Sequence, residues 1–200
     1  MSKGSMTKVG VTGGIGSGKT LICQVFEKLG APVFYADEEA KRLLNDDPQV
    51  RDAVIEYFGP EIYDEQGIKK ALLAAKIFNS REALRKINNI VHPAVRRLFL
   101  KWAEARESIF PYVIEEAALL FESGFYKDLD FNILVYAPEE LRIERVMQRD
   151  NTNREHIKAR MKHQMKDEEK IPGVEAVIYN DDSQMVIPQI LDIHKQLTRK

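Results

Sequence analysis

A run of glycines near the amino terminus restricts the possible folds of this chain more than any other feature. Residues 13–20 read GGIGSGKT and complete the pattern G-x-x-x-x-G-K-[ST]. A β-prone run at 8–12 precedes them, and apolar residues at helical spacing follow over 20–29. Glycines let backbone N–H groups turn inward around phosphate oxygens, and the start of a helix favours an anion. The pattern in this context predicts a phosphate-binding loop, rather than a glycine-rich turn without a ligand.

The loop supplies side chains as well as backbone N–H groups. Lys19 is long enough to reach the β- and γ-phosphates of ATP, and Thr20 can offer its hydroxyl to Mg²⁺. We therefore expect ATP as co-substrate, Mg²⁺ as cofactor and Lys19 as a catalytic residue. The predicted nucleotide-binding residues of the loop are Gly14, Ile15, Gly16, Ser17, Gly18, Lys19 and Thr20.

Five β-prone runs alternate with segments of helical periodicity, and a final helix is predicted over 186–197. Such alternation is typical of a parallel sheet, so the sequence predicts a three-layer α/β sandwich with a five-stranded parallel sheet. The runs lie at 8–12, 33–36, 112–114, 131–136 and 176–179.

Residues 38–109 carry no convincing strand, and they are more chain than a crossover needs. We interpret them as an inserted helical subdomain, and assign 6–37 and 110–200 to the nucleotide-binding core. Asn79 or Ser80 can cap one of the helices, and Pro93 suits the first turn of another. The helical patterns lie at 50–58, 69–78, 80–91 and 94–105.

A charged helix–break–helix follows the fourth predicted strand. Its first helix covers 138–149, and Thr152 with Glu155 matches a capping box that starts a second helix toward Asp167. This charge density is typical of a mobile lid, so we predict a lid at 139–167 within the core.

Asp37 stands where the second predicted strand ends, at the sheet edge that faces the ligand in open α/β folds. A carboxylate there can accept the proton of an acceptor hydroxyl during phosphoryl transfer. The alternative is a helix N-cap, because Asp37-Glu38-Glu39 precedes an amphipathic run. Position in the sequence favours neither the catalytic role nor the helix cap.

Glu115 and Glu116 follow the third predicted strand at the same edge. One of them can bind Mg²⁺, directly or through water, whereas the alternative is a solvated pair or a structural partner of a lysine. We assign Glu116, with Thr20, to the metal, although the sequence does not separate Glu116 from Glu115.

Arg142, Arg145 and Arg149 fall at i, i+3 and i+7, so they share one helix face. Such a face can cover transferring phosphates and stabilise their charge. The alternative is a solvated face that is paired with Glu144, Asp150 and Glu155.

Composition argues against several other classes. The net charge of -1 gives no reason to expect nucleic acid or a membrane as partner, and no apolar run approaches the length of a membrane span. The single cysteine, Cys23, reads as a packing residue and suits a reducing cytosol. We expect a cytoplasmic monomer or weak homo-oligomer, without a zinc site, and interpret residues 1–5 as an artificial leader before Met6.

Segments along nearly the whole chain resemble the dephospho-coenzyme A kinase family. The glycine loop is shared by many kinases, whereas the His-Pro and Leu-Leu-Phe-Glu elements are much more specific. The matching segments are VTGGIGSGKT at 11–20, YAD at 35–37, IVHP at 90–93, LLFESG at 119–124, residues 145–150, Gln164 and VIYND at 177–181.

The resemblance implies a P-loop kinase with a core, a helical coenzyme A-binding subdomain and a lid. It implies the reaction ATP + dephospho-CoA → ADP + CoA, at the ribose 3′-hydroxyl. Asp37 matches the family's acidic residue at the acceptor hydroxyl, and Arg145 and Arg149 match its catalytic lid arginines. On the same grounds, substrate contacts are expected from His92, Leu119 and Glu122, and an adenine contact from Asn180.

The chain departs from the family pattern at a few positions. Tyr35 replaces the first aspartate of the family's Asp-Ala-Asp, so Asp37 is the one carboxylate left in that motif to act at the acceptor hydroxyl. Glu116 falls where many members carry aspartate, and Ala118 falls where they often have a proline.

Two other functions compete with this one. Another small-molecule or nucleotide kinase would use the same core, insertion and arginine lid, and only the family-specific segments separate it. A GTP-driven switch would account for Asp64-Glu65-Gln66-Gly67, which matches D-x-x-G, but no predicted strand precedes it and the chain has no Asn-Lys-x-Asp signature.

Overall fold

A computed structural model gives the structure of residues 6–78 and 80–199. Residues 1–5, which we interpret as a leader, and Asn79, a predicted helix cap, lie outside the described residues. The chain divides into two compact units, of which the first contains the described parts of Met1–Tyr35 and Ala103–Lys200, and the second is Ala36–Trp102. The functional division into an acceptor-binding insertion and a lid stays a prediction.

The first unit opens with strand β1, helix α1 and strand β2, at Thr7–Thr12, Lys19–Lys28 and Val33–Tyr35. The helix packs one apolar face on the sheet, and its buried residues are Ile22, Cys23 and Phe26. Burial raises the pKa of the Cys23 thiol, in keeping with a packing role.

The second unit is mainly helical. Asp47 caps one helix start by accepting the N–H groups of Gln49 and Val50, and Ser80 caps another by accepting that of Ala83. In chain order the α-helices and strands are α2 (Ala36–Asp46), α3 (Pro48–Phe58), β3 (Tyr63–Asp64), β4 (Gly67–Ile68), α4 (Lys70–Phe78) and α5 (Arg81–Glu104).

The chain then completes the sheet of the first unit. The remaining strands and α-helices are β5 (Tyr112–Glu116), β6 (Phe131–Tyr136), α6 (Glu139–Asp150), α7 (Arg154–Met161), α8 (Asp167–Lys170), β7 (Ala176–Tyr179) and α9 (Val186–Thr198). No helix in residues 6–78 and 80–199 is long and apolar enough to cross a membrane.

The large sheet has the order β2-β5-β1-β6-β7, and its neighbouring strands are all parallel. The prediction of a five-stranded parallel sheet is therefore confirmed. The central strand β1 leads into the glycine loop, so the loop lies at the carboxyl edge, where open α/β sheets bind ligands.

Gly10 in the middle of β1 marks a close approach on one face of the sheet. A Cβ there would lie 2.6 Å from Leu120, 2.7 Å from Leu129 and 2.8 Å from Asn132. The neighbouring residues Val9 and Val11 point to the other face, where α1 and α9 share a buried core with the strands.

Residues 80–105 were predicted as two helices that meet at Pro93, and this prediction is wrong. The structure has one helix, α5, with Pro93 inside it. Proline removes one backbone hydrogen bond, but an apolar stripe continues through the interruption and is buried along its length. The stripe consists of Ala83, Ile87, Val91, Val95 and Phe99.

The expectation of no strand in the insertion is also wrong, because β3 and β4 form a two-stranded antiparallel hairpin. Strands of two residues are too short to produce an alternating pattern in sequence. The D-x-x-G match is the turn of this hairpin, with Asp64 accepting the N–H of Gln66 and Gly67 at a φ of 108°.

The second lid helix differs from its prediction at both ends. Its cap is Asn153, one residue after Thr152, and the Asn153 side chain accepts the N–H of His156 at 2.9 Å. The helix ends at Met161 instead of continuing toward Asp167, which begins the separate short helix α8.

Candidate active site

The glycine loop has the backbone shape that its sequence predicts. Gly16 and Gly18 have φ angles of 82° and 92°, which L side chains rarely adopt. Within the loop, the N–H of Ser17 donates to the carbonyl of Gly14 at 3.0 Å. A side chain at Gly16 would also meet the backbone carbonyl of Arg142, so both conformation and space require glycine there.

Helix α1 begins directly after this loop, at Lys19. In the part of the chain that the structure describes, no side chain caps its start at Gly18. The first N–H groups of a helix have no partner within the helix, so this start is available to an anion. Thr20, the second helical residue, is exposed.

Lys19 and Glu116 form the charged centre of the candidate site. The distance from Lys19 Nζ to Glu116 Oε1 is 3.8 Å, and their side chains are 10% and 8% exposed. Glu116 is in register with Val11 on the face that α1 covers, whereas Glu115 is in register with Gly10 on the opposite face. The structure therefore distinguishes the two glutamates, between which the sequence did not decide: only Glu116 is on the same face as α1. Both lie inside β5, and the prediction that they follow the strand is wrong.

The residues at the loop are compatible with Mg²⁺. Among residues 6–78 and 80–199 there is no cluster of three or more histidine, cysteine or acidic side chains that could bind a metal by itself. Mg²⁺ in phosphoryl-transfer sites usually takes one or two protein ligands and completes its shell with phosphate oxygens and water. The hydroxyl of Thr20, an exposed residue, and the carboxylate of Glu116 match that donor set.

Asn180 connects the last strand to the loop. Its Nδ2 donates to the carbonyl of Ser17 at 2.8 Å, and its side chain occupies the space beside Gly18. Its own carbonyl accepts a hydrogen bond of 2.9 Å from Arg145, which also pairs with Asp182 at 2.8 Å. The structure thus brings Asn180 and Arg145 together at the end of the glycine loop.

Arg149 is not part of this group. Its guanidinium donates to the carboxylate of the adjacent Asp150 at 2.6 and 3.0 Å, and its side chain is 63% exposed. Arg145 and Arg149 share a helix face but contact different partners, and their predicted catalytic roles stay predictions.

Two further residues contact the loop, and the site prediction did not include them. Gln164 accepts the N–H of Ile15 at 2.9 Å through Oε1. Arg142 lies with its guanidinium in the space that a side chain at Gly14 would need. The resemblance pointed to Gln164 and the helical spacing to Arg142, but neither signal indicated contact with the loop.

The turn after β5 carries two predicted substrate residues. Leu119 is half-buried, and its carbonyl accepts the N–H of Ser123. Glu122 accepts the N–H of Met165 at 2.6 Å and pairs with the buried Lys170 at 3.6 Å. These contacts give Glu122 a structural role within the first unit, and its role toward substrate stays a prediction.

Asp37 and His92 belong to the second unit. The prediction that Asp37 ends the second strand is wrong, because β2 ends at Tyr35 and Asp37 is the second residue of α2. It therefore lies inside the first turn, not at the N-cap, and its side chain is exposed. His92 is half-buried in the interior of α5.

The sheet order, the glycine loop at the end of the central strand and the Lys19–Glu116 pair define a P-loop kinase. The family model for dephospho-CoA kinase matches residues 7–185. The chain belongs to the dephospho-CoA kinase family, whose members use ATP as phosphate donor.

Individual relatives agree with this assignment. The dephospho-CoA kinase of Bacteroides fragilis (strain YCH46) is 40% identical over 193 residues, which cover 96% of this chain and 94% of the relative. A solved structure from Thermus thermophilus is similar with a TM-score of 0.80 and 31% identity, and covers 98% of both chains. Dephospho-CoA kinase from Campylobacter jejuni is similar with a TM-score of 0.64 and 25% identity over 98% of this chain and 99% of its own.

Proposed function

We propose that this protein transfers the γ-phosphate of ATP to the ribose 3′-hydroxyl of dephospho-CoA, giving CoA and ADP. This is the last step of coenzyme A synthesis. The new bond joins the 3′-oxygen to the γ-phosphorus, the bond to the ADP oxygen breaks, and the hydroxyl proton leaves. The observation that carries the choice of acceptor is the match of residues 7–185 to the dephospho-CoA kinase family. The Lys19–Glu116 pair, beside a helix start that no described side chain caps, supports the phosphoryl transfer.

The loop would bind and orient the triphosphate. Its N–H groups contact phosphate oxygens, and Lys19 exchanges its 3.8 Å contact with Glu116 for the charge that develops on the transferring group. Mg²⁺, held by Thr20 and Glu116, would neutralise phosphate charge when bound. Asn180 would contribute to the adenine side, and Arg145 and Arg149 would stabilise the transferring phosphoryl group.

Acceptor binding is assigned to Asp37, His92, Leu119 and Glu122. An aspartate is too weak a base to deprotonate a ribose hydroxyl beforehand. Asp37 would instead orient the hydroxyl and accept its proton late, as the new O–P bond forms.

The test is a coupled ADP-release assay with ATP, Mg²⁺ and dephospho-CoA, with adenosine, AMP and shikimate as control acceptors. We expect rapid turnover of dephospho-CoA and poor turnover of the others. Comparable turnover of AMP with none of dephospho-CoA would exclude the assignment.

Asp37→Asn tests the acceptor-side base. The substitution keeps size and hydrogen bonding but removes the basicity, so kcat should fall roughly a hundredfold while dephospho-CoA still binds. If Asp37 serves only the first turn of α2, asparagine should change stability by roughly 1 kcal/mol or less and leave kcat near the wild-type value.

We further propose a cytoplasmic location and a monomeric or weakly self-associating state. Light scattering over a range of protein concentrations would measure that self-association. No nucleic-acid or membrane partner is part of the proposal.

A further inference from the structure

Four charged side chains of alternating sign lie in a row beside the glycine loop, and we refer to Glu122, Lys170, Asp167 and Arg142 as the buried ion chain. Lys170 Nζ is 3.6 Å from Glu122 Oε1 and 3.7 Å from Asp167 Oδ1. Asp167 Oδ2 is 3.9 Å from an Arg142 Nη. Lys170 is fully buried, and the side chains of Asp167 and Arg142 are 4% and 14% exposed.

Stability alone does not account for this arrangement. All three pairs are longer than a hydrogen bond, and within the described ranges Lys170 Nζ, Asp167 Oδ2 and Arg142 Nε make no hydrogen bond. Burial raises the pKa of Asp167 more than the neighbouring Arg142 and Lys170 lower it. Well-packed apolar residues often stabilise a core at least as well as a buried ion pair, so a gain in stability is weak evidence for why these charges are there.

The two ends of the buried ion chain indicate its role. At one end, the Arg142 guanidinium occupies the space over Gly14, and the Arg142 carbonyl lies against Gly16. Between these glycines, Ile15 donates its N–H to Gln164. At the other end, Glu122 accepts the N–H of Met165. The residues after α7 are therefore attached to both the glycine loop and the turn after β5.

We propose that Arg142 is a positioning residue for phosphate binding, which acts through Gly14 and is kept in place by Asp167 and Lys170. The proposal rests on the proposed function only in that the glycine loop binds ATP. The ion chain fixes the guanidinium against the loop, and the loop in turn presents its N–H groups to the phosphates in one geometry.

The first test compares Arg142→Gln and Arg142→Lys with the wild-type enzyme. Arg142→Gln should weaken ATP binding, measured by calorimetric titration, and raise the KM for ATP by about tenfold, because a misplaced loop aligns its donors poorly. The KM for dephospho-CoA should change by less than about twofold. Arg142→Lys keeps the positive charge without the planar guanidinium, so its ATP affinity should lie between those of the wild type and Arg142→Gln. The control is Lys195→Gln, which removes a charge from an exposed pair with Asp192 on α9.

The second test asks whether Asp167 acts through Arg142. Asp167→Asn alone should weaken ATP binding, and the Asp167→Asn/Arg142→Gln double variant should bind ATP no more weakly than Arg142→Gln. Additive losses would overturn the proposal, as would a folded Arg142→Gln with wild-type ATP affinity. Equal increases in both KM values, with a matching fall in Tm, would assign Arg142 a purely structural role and also overturn it. A wild-type protein that bound no ATP would instead remove the proposed function itself.

Discussion

Helices α1 and α7 both belong to the first unit, yet they begin in opposite ways. The start of α7 is capped by Asn153, whose side chain accepts the N–H of His156. The start of α1 follows Gly18, and no side chain among the described residues caps it. A cap satisfies the free N–H groups of a helix start, and a phosphate can do the same. The N–H groups at the start of α1 are therefore available to the phosphate that we propose, whereas Asn153 satisfies the start of α7 from within the protein.

The surroundings of the two helices differ as well. The glycine loop depends on glycines that lie close together in sequence, with Gly16 and Gly18 at positive φ, and its Lys19 pairs with Glu116 at 3.8 Å. The arginine segment, which we define as residues 139–170, takes its geometry from contacts with distant parts of the chain. The following predictions test how the glycine loop and the arginine segment divide the chemistry of transfer and the placement of the substrates between them.

The largest effect is expected from Lys19→Ala. Loss of the ammonium removes a charge that stabilises the transition state, so kcat should fall by on the order of a hundredfold or more. Lys28→Ala, at the exposed end of the same helix, is the control, and thermal melts check the fold of both variants. A near-normal kcat in a folded Lys19→Ala enzyme would contradict the catalytic role of the glycine loop.

The next effect is on stability, in Gly16→Ala. Alanine there must adopt a left-handed conformation and also meet the Arg142 carbonyl, so we expect a loss of about 2 kcal/mol in the free energy of unfolding. Gly30→Ala is the matched control, because its φ is 94° but a Cβ would have no neighbour within 4 Å. Urea unfolding measures the loss of stability in both variants, and the excess loss in Gly16→Ala reports the clash with the Arg142 carbonyl. Equal losses in the two variants would mean that this clash costs nothing.

Arg145→Ala tests whether the arginine segment contributes to chemistry. We propose that Arg145 stabilises the transferring phosphoryl group, so kcat should fall by about tenfold or more. If it only fixes Asn180 and Asp182, the KM for ATP should rise and kcat should persist. Asp182→Asn keeps the arginine but weakens the 2.8 Å pair, so it provides the control. A change confined to the KM for ATP in Arg145→Ala would rule out the catalytic role.

The smallest effect is expected from Asn153→Ala. Removing the side chain that caps α7 should lower the free energy of unfolding by about 1 kcal/mol, and Asn153→Ser should recover most of it. The urea midpoint measures both variants. An unchanged urea midpoint for Asn153→Ala would show that the side-chain cap does not stabilise α7.

Sequence patterns predicted the features that depend on neighbouring residues. The strands at 131–136 and 176–179 have the predicted bounds, because each is a mainly apolar, β-prone run that ends before a turn signal. Predictions that depended on one local signal were weaker. Pro93 was interpreted as a helix start and lies inside α5, and Thr152 was interpreted as a cap one residue before Asn153. In α5, a longer buried apolar stripe outweighed the local preference.

The candidate site divides in the same way. The glycine-loop motif assigned roles to Lys19 and Thr20, and the resemblance assigned one to Asp37, but position in the sequence did not separate Glu115 from Glu116. That distinction follows from strand register, which pairs Glu116 with Val11 and Glu115 with Gly10 on opposite faces of the sheet. Register is a relation between strands more than 100 residues apart, so no pattern within either strand contains it.

By itself, the sequence determined that this chain has a glycine loop between a strand and a helix, a parallel α/β sheet and the segments of a kinase family. Those features depend on the order of nearby residues and on their periodicity. Only the tertiary structure decided that Lys170, in the charged run DEEK, is fully buried between two carboxylates. Only it placed Asn180 on Ser17 and Gln164 on Ile15, contacts that span 163 and 149 residues. The physical reason is that burial and partner choice are set by what packs around a side chain, and a charge looks the same in sequence whether water or protein surrounds it.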